Sequence, residues 1–172
     1  MMKSEKVTLR PIIKEDLTLI NKWRNDYEVF KYLGGGYMPI SIDQQSKWMD
    51  GMIDNTGNNK RFSILNEDKK FIGVIGLYNI NWIHRTSEFG IYIGEKNQWG
   101  KGYAKESMNL ILEFGFKVLN LRKVKLDVVV DNIAAIKMYK NLGFREVGIY
   151  KEERFIDNEY KDVLMMEFIN TL

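Results

Sequence analysis

Gln98-Trp99-Gly100-Lys101-Gly102-Tyr103-Ala104 stands between an apolar, strand-like run, Phe89 to Ile93, and a long helical pattern, Ala104 to Leu119. Glycines alternate with a lysine where the strand hands over to the helix, so the backbone can approach a ligand closely and the first free N–H groups of the helix point outward. A turn of this kind cradles anions. The helix N-terminus carries partial positive charge, its N–H groups bind phosphate, and Lys101 adds a mobile cation at the rim. Taken alone, a pair of glycines reads as an ordinary tight turn, so the assignment needs support from the rest of the chain.

Downstream, Ala104, Met108, Ile111, Leu112, Phe116 and Leu119 recur at helical spacing. Lys123 to Val130 is the most β-branched run, and Asp131-Asn132 then opens a second helix carrying Ala135, Ile136, Tyr139 and Leu142, ended by Gly143. Phe144 to Tyr150 and Tyr160 to Phe168 read as a final strand pair around a polar loop, Lys151 to Glu159. Upstream, Val7 to Pro11 alternates like a short strand, Glu15 to Trp23 reads as a helix, and Ser41 caps a further helix running to about Ile53. Leu33 to Pro39, with three glycines and a proline, reads as a mobile loop. Its bracketing aromatics favour a substrate lid with Tyr37 at the tip over a plain connector. Arg61 to Leu65 and Phe71 to Tyr78 form a hairpin, and Glu88 to Ile93 adds the next antiparallel strand. The order predicts an α/β fold with a mixed sheet and helices on both faces. Both helix starts follow strands of one sheet, so they lie at one end, where α/β folds place ligands.

At 172 residues, with 45% hydrophobic content, the chain suits one domain spanning 1-172. The net charge of +3, from 26 basic and 23 acidic residues, argues against a nucleic-acid partner. The absence of cysteine removes disulfides, thiolate nucleophiles and cysteine zinc sites, and a single histidine, His84, excludes a histidine-cluster metal centre. No signal-like or membrane-spanning run occurs, which predicts a cytoplasmic protein without a membrane partner. A nucleotide-binding P-loop is disfavoured because Gly-Lys-Gly-Tyr lacks its longer loop and Lys-Ser/Thr ending, and a dinucleotide G-x-G-x-x-G is missing as well.

Two motifs carry a resemblance to a known family. Gln98-x-x-Gly100-x-Gly102, followed by Ala104, resembles the Gln/Arg-x-x-Gly-x-Gly/Ala pyrophosphate cradle of the GNAT superfamily of acyl-CoA-dependent N-acyltransferases. Asn132-Ile133-Ala134-Ala135-Ile136-Lys137-Met138-Tyr139, leading into Asn141-Leu142-Gly143-Phe144, resembles its second hallmark helix. The likeness covers nearly the whole chain and implies a mostly antiparallel central sheet with a splayed strand pair. It further implies acetyl-CoA as co-substrate, with no metal. Backbone near Ile91, Tyr92 and Ile93 would hold the thioester arm and stabilise the developing oxyanion. Gln98, Trp99, Gly100, Lys101, Gly102, Tyr103 and Ala104 would hold the pyrophosphate, and Asn132 and Ala135 would contact the coenzyme. Tyr139 would protonate the departing thiolate, a job suited to a phenol of pKa about 10. Without the motif, Tyr139 reads as a core aromatic and Asn132 as an N-cap.

An amine must be neutral to attack. Glu88 is the first candidate for base or for binding the cationic amine, since period-two alternation places it with Gly90 and Tyr92 on one face. A surface glutamate paired with Arg85 is the competing reading. His84 ranks second. Within the superfamily the chain is similar to ribosomal-protein N-terminal and spermidine acetyltransferases, through Ile80-Asn81-x-x-His84-Arg85-x-x-Glu88-Phe89 and Phe155 to Tyr160. It departs from the polyamine pattern at Gly76-Leu77, where an acidic residue is expected, and in the loop near Gly34, which lacks an acidic cluster. A polyamine or other small amine, a peptide N-terminus, an aminoglycoside and a nucleotide-linked amino sugar all remain as acceptors, and a non-catalytic acyl-CoA-binding module is the reading from outside enzymology. The apolar final strands suggest a homodimer.

Overall fold

The computed structural model describes residues 1–171. Its strands and helices run in the order β1 (Met2–Lys3), β2 (Thr8–Pro11), α1 (Leu17–Arg24), α2 (Tyr27–Phe30), α3 (Ile42–Ile53), β3 (Lys60–Leu65), β4 (Phe71–Asn81), β5 (Thr86–Ile93), α4 (Tyr103–Glu113), β6 (Lys123–Val129), α5 (Ile133–Asn141), β7 (Arg145–Ile156) and β8 (Glu159–Ile169). All eight strands form one sheet in the order β1-β2-β3-β4-β5-β6-β8-β7. Neighbours are antiparallel except β5 and β6, which run parallel. The sheet is mixed and mostly antiparallel, with helices on both faces, as the order of elements predicts.

Alternation along β4 explains the two layers. Val74 packs with Ile12, Ile20 and Met49 beneath α1 and α3, whereas the next residue, Ile75, belongs to the cluster under α4 and α5 with Leu77, Met108 and Ile111. Trp23, Val29 and Phe30 form a further cluster over the first face. Met108 and Ile111 are fully buried, each worth roughly 2–3 kcal/mol of apolar transfer. On β6, Val124, Leu126 and Val128 are buried on one side, while on the other Lys125 and Asp127 face outward and Val129 is buried with Ile156 and Val163.

Three elements differ from expectation. The long helix is α-helical only to Glu113 and continues as a π-helical turn over Phe114–Val118, closed by the Leu119 N–H donating to the Phe114 carbonyl at 3.1 Å. Gly115 presses against Leu77 there so closely that an added Cβ would lie 3.1 Å from it. The predicted polar loop Lys151 to Glu159 is mostly strand, because Asp157 and Asn158 take left-handed φ of 53° and 62° and turn the chain in two residues. The short α2 was not expected. Asp26 caps it, its carboxylate accepting from the Glu28 N–H at 3.0 Å.

Candidate active site

The cradle is built by two left-handed glycines. Gly100 has φ 74° and Gly102 φ 87°, and nothing lies within 4 Å of a Cβ added at either. The requirement is therefore conformational, and the space above the turn is open. Gly102 is the N-cap of α4 and offers no side-chain acceptor, and the first intrahelical bond is Glu106 N–H to Gly102 O at 3.1 Å. The N–H groups of Tyr103, Ala104 and Lys105 are thus left for an anion. Tyr103 turns its ring away: its hydroxyl donates to Glu67 Oε2 at 2.7 Å, and this bond pushes the phenol up to about 12. Its contribution to the cradle is backbone alone. Trp99 joins the turn to the end of β5 through an indole N–H donating to the Ile93 carbonyl at 2.8 Å, while Lys101 is exposed and Gln98 half-buried.

β5 and β6 pair only over Thr86↔Lys123, Ser87↔Val124 and Glu88↔Lys125. Beyond Glu88 the strands part, leaving Phe89 through Ile93 without a neighbour on that side. Tyr139 stands beside the parting: its ring lies 6.2 Å from Phe89 and 5.9 Å from Phe144, and it is 8% exposed. Its hydroxyl has no hydrogen-bond partner among the described residues, and burial pushes the phenol up to about 12. Asn132 caps α5, its Oδ1 accepting from Ala135 N–H at 3.4 Å, so capping leaves its amide nitrogen available as a donor.

On the α1–α3 face of the sheet, β4 and β5 floor a cavity of about 950 Å³ that takes in Glu88, Gly90 and Tyr92 together, as period-two alternation predicts. Glu88 is exposed and accepts from Asn79 Nδ2 at 3.1 Å. Arg85, its expected alternative partner, instead holds Asn120 through bonds of 2.6 and 2.7 Å. Tyr92 packs against Phe30 at 5.0 Å, and burial raises its hydroxyl well above the ordinary phenol range. At Gly76 an added Cβ would lie 2.6 Å from the Tyr78 ring, which also lies over Gly90, the cross-strand partner of Gly76. The position where polyamine enzymes are expected to carry an acid is thus filled by an aromatic ring.

Tyr37 lies outside this cavity. Its hydroxyl donates to the Asn25 carbonyl at 3.3 Å, and it lines a separate cavity of about 250 Å³ with Tyr27 and Arg154. His84 sits in the exposed turn between β4 and β5, where its N–H donates to Asn81 Oδ1 at 2.9 Å, and it lines neither cavity. Among the described residues no group of three or more His, Cys, Asp or Glu is placed to hold a metal ion, and no helix is long and apolar enough to cross a membrane. Sequence reasoning missed Arg24, Trp48, Arg61 and Tyr78 in the large cavity. Arg24 read as the polar end of a helix, and only tertiary packing brings it beside β4.

The acetyltransferase (GNAT) domain family matches residues 6–145. Spermidine N(1)-acetyltransferase of Vibrio cholerae serotype O1 is 33% identical over 168 residues, 98% of this chain and 95% of that protein. The crystal structure of spermidine N-acetyltransferase from Vibrio cholerae in complex with CoA and spermine matches with a TM-score of 0.89 at 33% identity over 96% of each chain. A dodecameric structure of the Vibrio cholerae enzyme in an intermediate state matches at 0.82 with 33% identity, over 96% of this chain and 95% of that one. Since the family match takes in both the glycine cradle and the parted strands, and a solved relative holds CoA on the same fold, the chain belongs to the GNAT acetyltransferases.

Proposed function

We propose that residues 1–172 act as one unit that moves an acetyl group from acetyl-CoA to a primary amine of a small acceptor by direct attack. The observation that carries this reading is the parting of β5 from β6 beyond Glu88, with Tyr139 beside it, the cradle of α4 at the end of the same strand and an open cavity on the other side. Acetyl-CoA supplies an activated acyl carbon. The cradle residues Gln98 to Ala104, with Asn132 and Ala135, hold its anionic portion, and the unpaired backbone of Ile91, Tyr92 and Ile93 supplies donors to its arm and to the carbonyl oxygen as charge develops. Glu88 faces the acceptor cavity, where it binds the ammonium and passes a proton to water, so that the nitrogen reaches the acyl carbon neutral.

Tyr139 gives its phenolic proton to the sulfur as the carbon–sulfur bond breaks, and the proton that the attacking nitrogen sheds on becoming an amide returns through water to restore the phenol. Burial keeps its phenol, at about 12, protonated throughout the working pH range. The reaction as drawn uses no metal, and a cytoplasmic site of action, where acetyl-CoA is supplied, is part of the same reading. Spermidine, the acceptor named for the relatives, is the first amine to assay, with Tyr37 and His84 reached only by a long acceptor.

The long edge strand β7 leaves Val147 and Ile149 exposed, which supports pairing of subunits along this edge. A homodimer is the smallest assembly it allows. Light scattering of the purified chain should show more than one subunit, and Ile149→Lys should shift it toward the monomer.

Titration calorimetry with acetyl-CoA, run beside a thiol-release assay on spermidine, peptides with free N-termini, aminoglycosides and amino sugars, tests the assignment. Saturable binding with turnover on one amine class is expected. Binding without turnover on any amine would mark a coenzyme-binding module instead.

A further inference from the structure

The charge lining the acceptor cavity has the wrong sign for a polycation. Three cationic side chains, Arg24, Lys47 and Arg61, line it against a single carboxylate, Glu88. None of the three has an ion-pair partner among the described residues. The guanidinium of Arg24 lies over the rings of Trp48 at 4.9 Å and Phe30 at 5.3 Å, and its Nε is a buried donor without an acceptor among the described residues. Arg61 lies over the Tyr78 ring at 5.2 Å, and its guanidinium donates to the Gly51 carbonyl at 2.8 Å. A half-buried guanidinium held against two rings, with no carboxylate beside it, suits a planar or tetrahedral anion in the cavity.

Tyr78 adds to the discrimination. By lying across Gly76 and Gly90 it takes the room in which a second carboxylate on β4 would stand, and it braces Arg61 from below. The cavity therefore holds one negative group for one ammonium at Glu88 and a cluster of positive groups on the α1, α3 and β3 side. A volume of about 950 Å³ lies near the upper end of small-molecule sites, enough for an acceptor that spans both.

We propose that the acceptor is a primary amine that also carries a phosphate or carboxylate group, its anion bound by Arg24, Lys47 and Arg61 while Glu88 receives its amine. The proposal rests on the acetyl transfer assigned above and sets the charge of its substrate. The discriminating experiment measures thiol release for matched acceptors: glucosamine against glucosamine 6-phosphate and UDP-glucosamine, 1,4-diaminobutane against 4-aminobutyrate, and spermidine. At least one anionic acceptor is expected to exceed its uncharged or cationic counterpart in kcat/KM by tenfold or more, and the pair that does so tells phosphate from carboxylate.

Arg24→Gln should shrink that ratio at least fivefold, chiefly through KM of the acceptor. Arg61→Gln serves as the second variant should the first fail to fold, since β3 pairs through backbone groups. Preference for spermidine or diaminobutane over every anionic amine, or a ratio unchanged in both variants, would overturn the proposal and leave acetyl transfer intact. Coenzyme binding with no turnover on any of these amines would overturn both.

Discussion

Glu88 shows how one side chain is given a role by its strand. Alternation along β5 turns it to the acceptor cavity, and its one hydrogen bond, from Asn79, leaves an oxygen for the substrate. Glu88→Gln should lower kcat/KM about a hundredfold near neutral pH, the lower end of the range for a positioned proton acceptor. If it relays the amine proton, the deficit shrinks as pH rises toward the amine's own pKa, and a pH series of the variant reads this directly. A deficit constant with pH would make Glu88 a binding group alone. The positions of Tyr139, Asn132 and Glu88 were legible because each belongs to a local pattern, helical spacing, a cap and a strand alternation, whereas the roles proposed for Tyr139 and Asn132 came from the family likeness alone. Arg24 and Arg61 belong to none. They line one cavity because α1 lies over β4 and β5 while β3 pairs beside β4, which no window along the chain reveals.

At the scale of elements, the start of α4 depends on backbone that only glycine adopts cheaply. Gly102→Ala places a Cβ at φ 87°, a strain of about 1–2 kcal/mol, although the added carbon meets nothing. The variant should melt a few degrees lower and bind acetyl-CoA roughly tenfold more weakly, because the N–H groups of the first turn shift with the cap. Calorimetry and a thermal scan separate the two effects. Unchanged affinity would remove the cradle from the account. This helix start was readable from the two glycines, since the handover from period two to period 3.6 falls on them. The far end of the same helix was not, because the π-turn is a response to Leu77 crowding Gly115 from the sheet. The tip at Asp157 and Asn158 carried a usable signal, two residues tolerant of left-handed φ between Ile156 and Glu159, which the surrounding charge hid.

For the molecule as a whole, the sheet is tied to the first helix by a buried ion pair. Arg10 on β2 meets Asp16 at 2.7 Å through each of two nitrogens, and Ser63 on β3 donates to the same carboxylate at 2.7 Å. Burial works to raise the Asp16 carboxyl, but hydrogen bonds from Arg10, Ser63 and the Ile13 N–H, with the Arg10 charge, outweigh it and hold the group below its ordinary value. A depressed carboxyl stabilises the fold above the ordinary pKa of 3.8, and that stability is lost as pH falls through the folded value. Asp16→Asn should therefore cost about 3 kcal/mol at pH 7 in denaturant melts and flatten the loss of stability below pH 4. An acid limb as steep as the parent's would assign that loss to other carboxylates.

The two-faced α/β layout was legible because β4 alternates between two apolar clusters and the helices carry their own caps. The site between the parted strands was foreseen from likeness to a family, since a break in strand pairing leaves no mark in composition.

That parting, with Tyr139 at its edge, is the centre of the account, and Tyr139→Phe tests it most directly. The substitution removes one oxygen that bonds to nothing among the described residues, so packing against Phe89 and Phe144 should persist. Steady-state kinetics on the best acceptor, with acetyl-CoA affinity measured alongside, should show kcat lowered by about a hundredfold or more and the dissociation constant unchanged within twofold. A kcat equal to the parent's would contradict the assignment of Tyr139 as the proton donor.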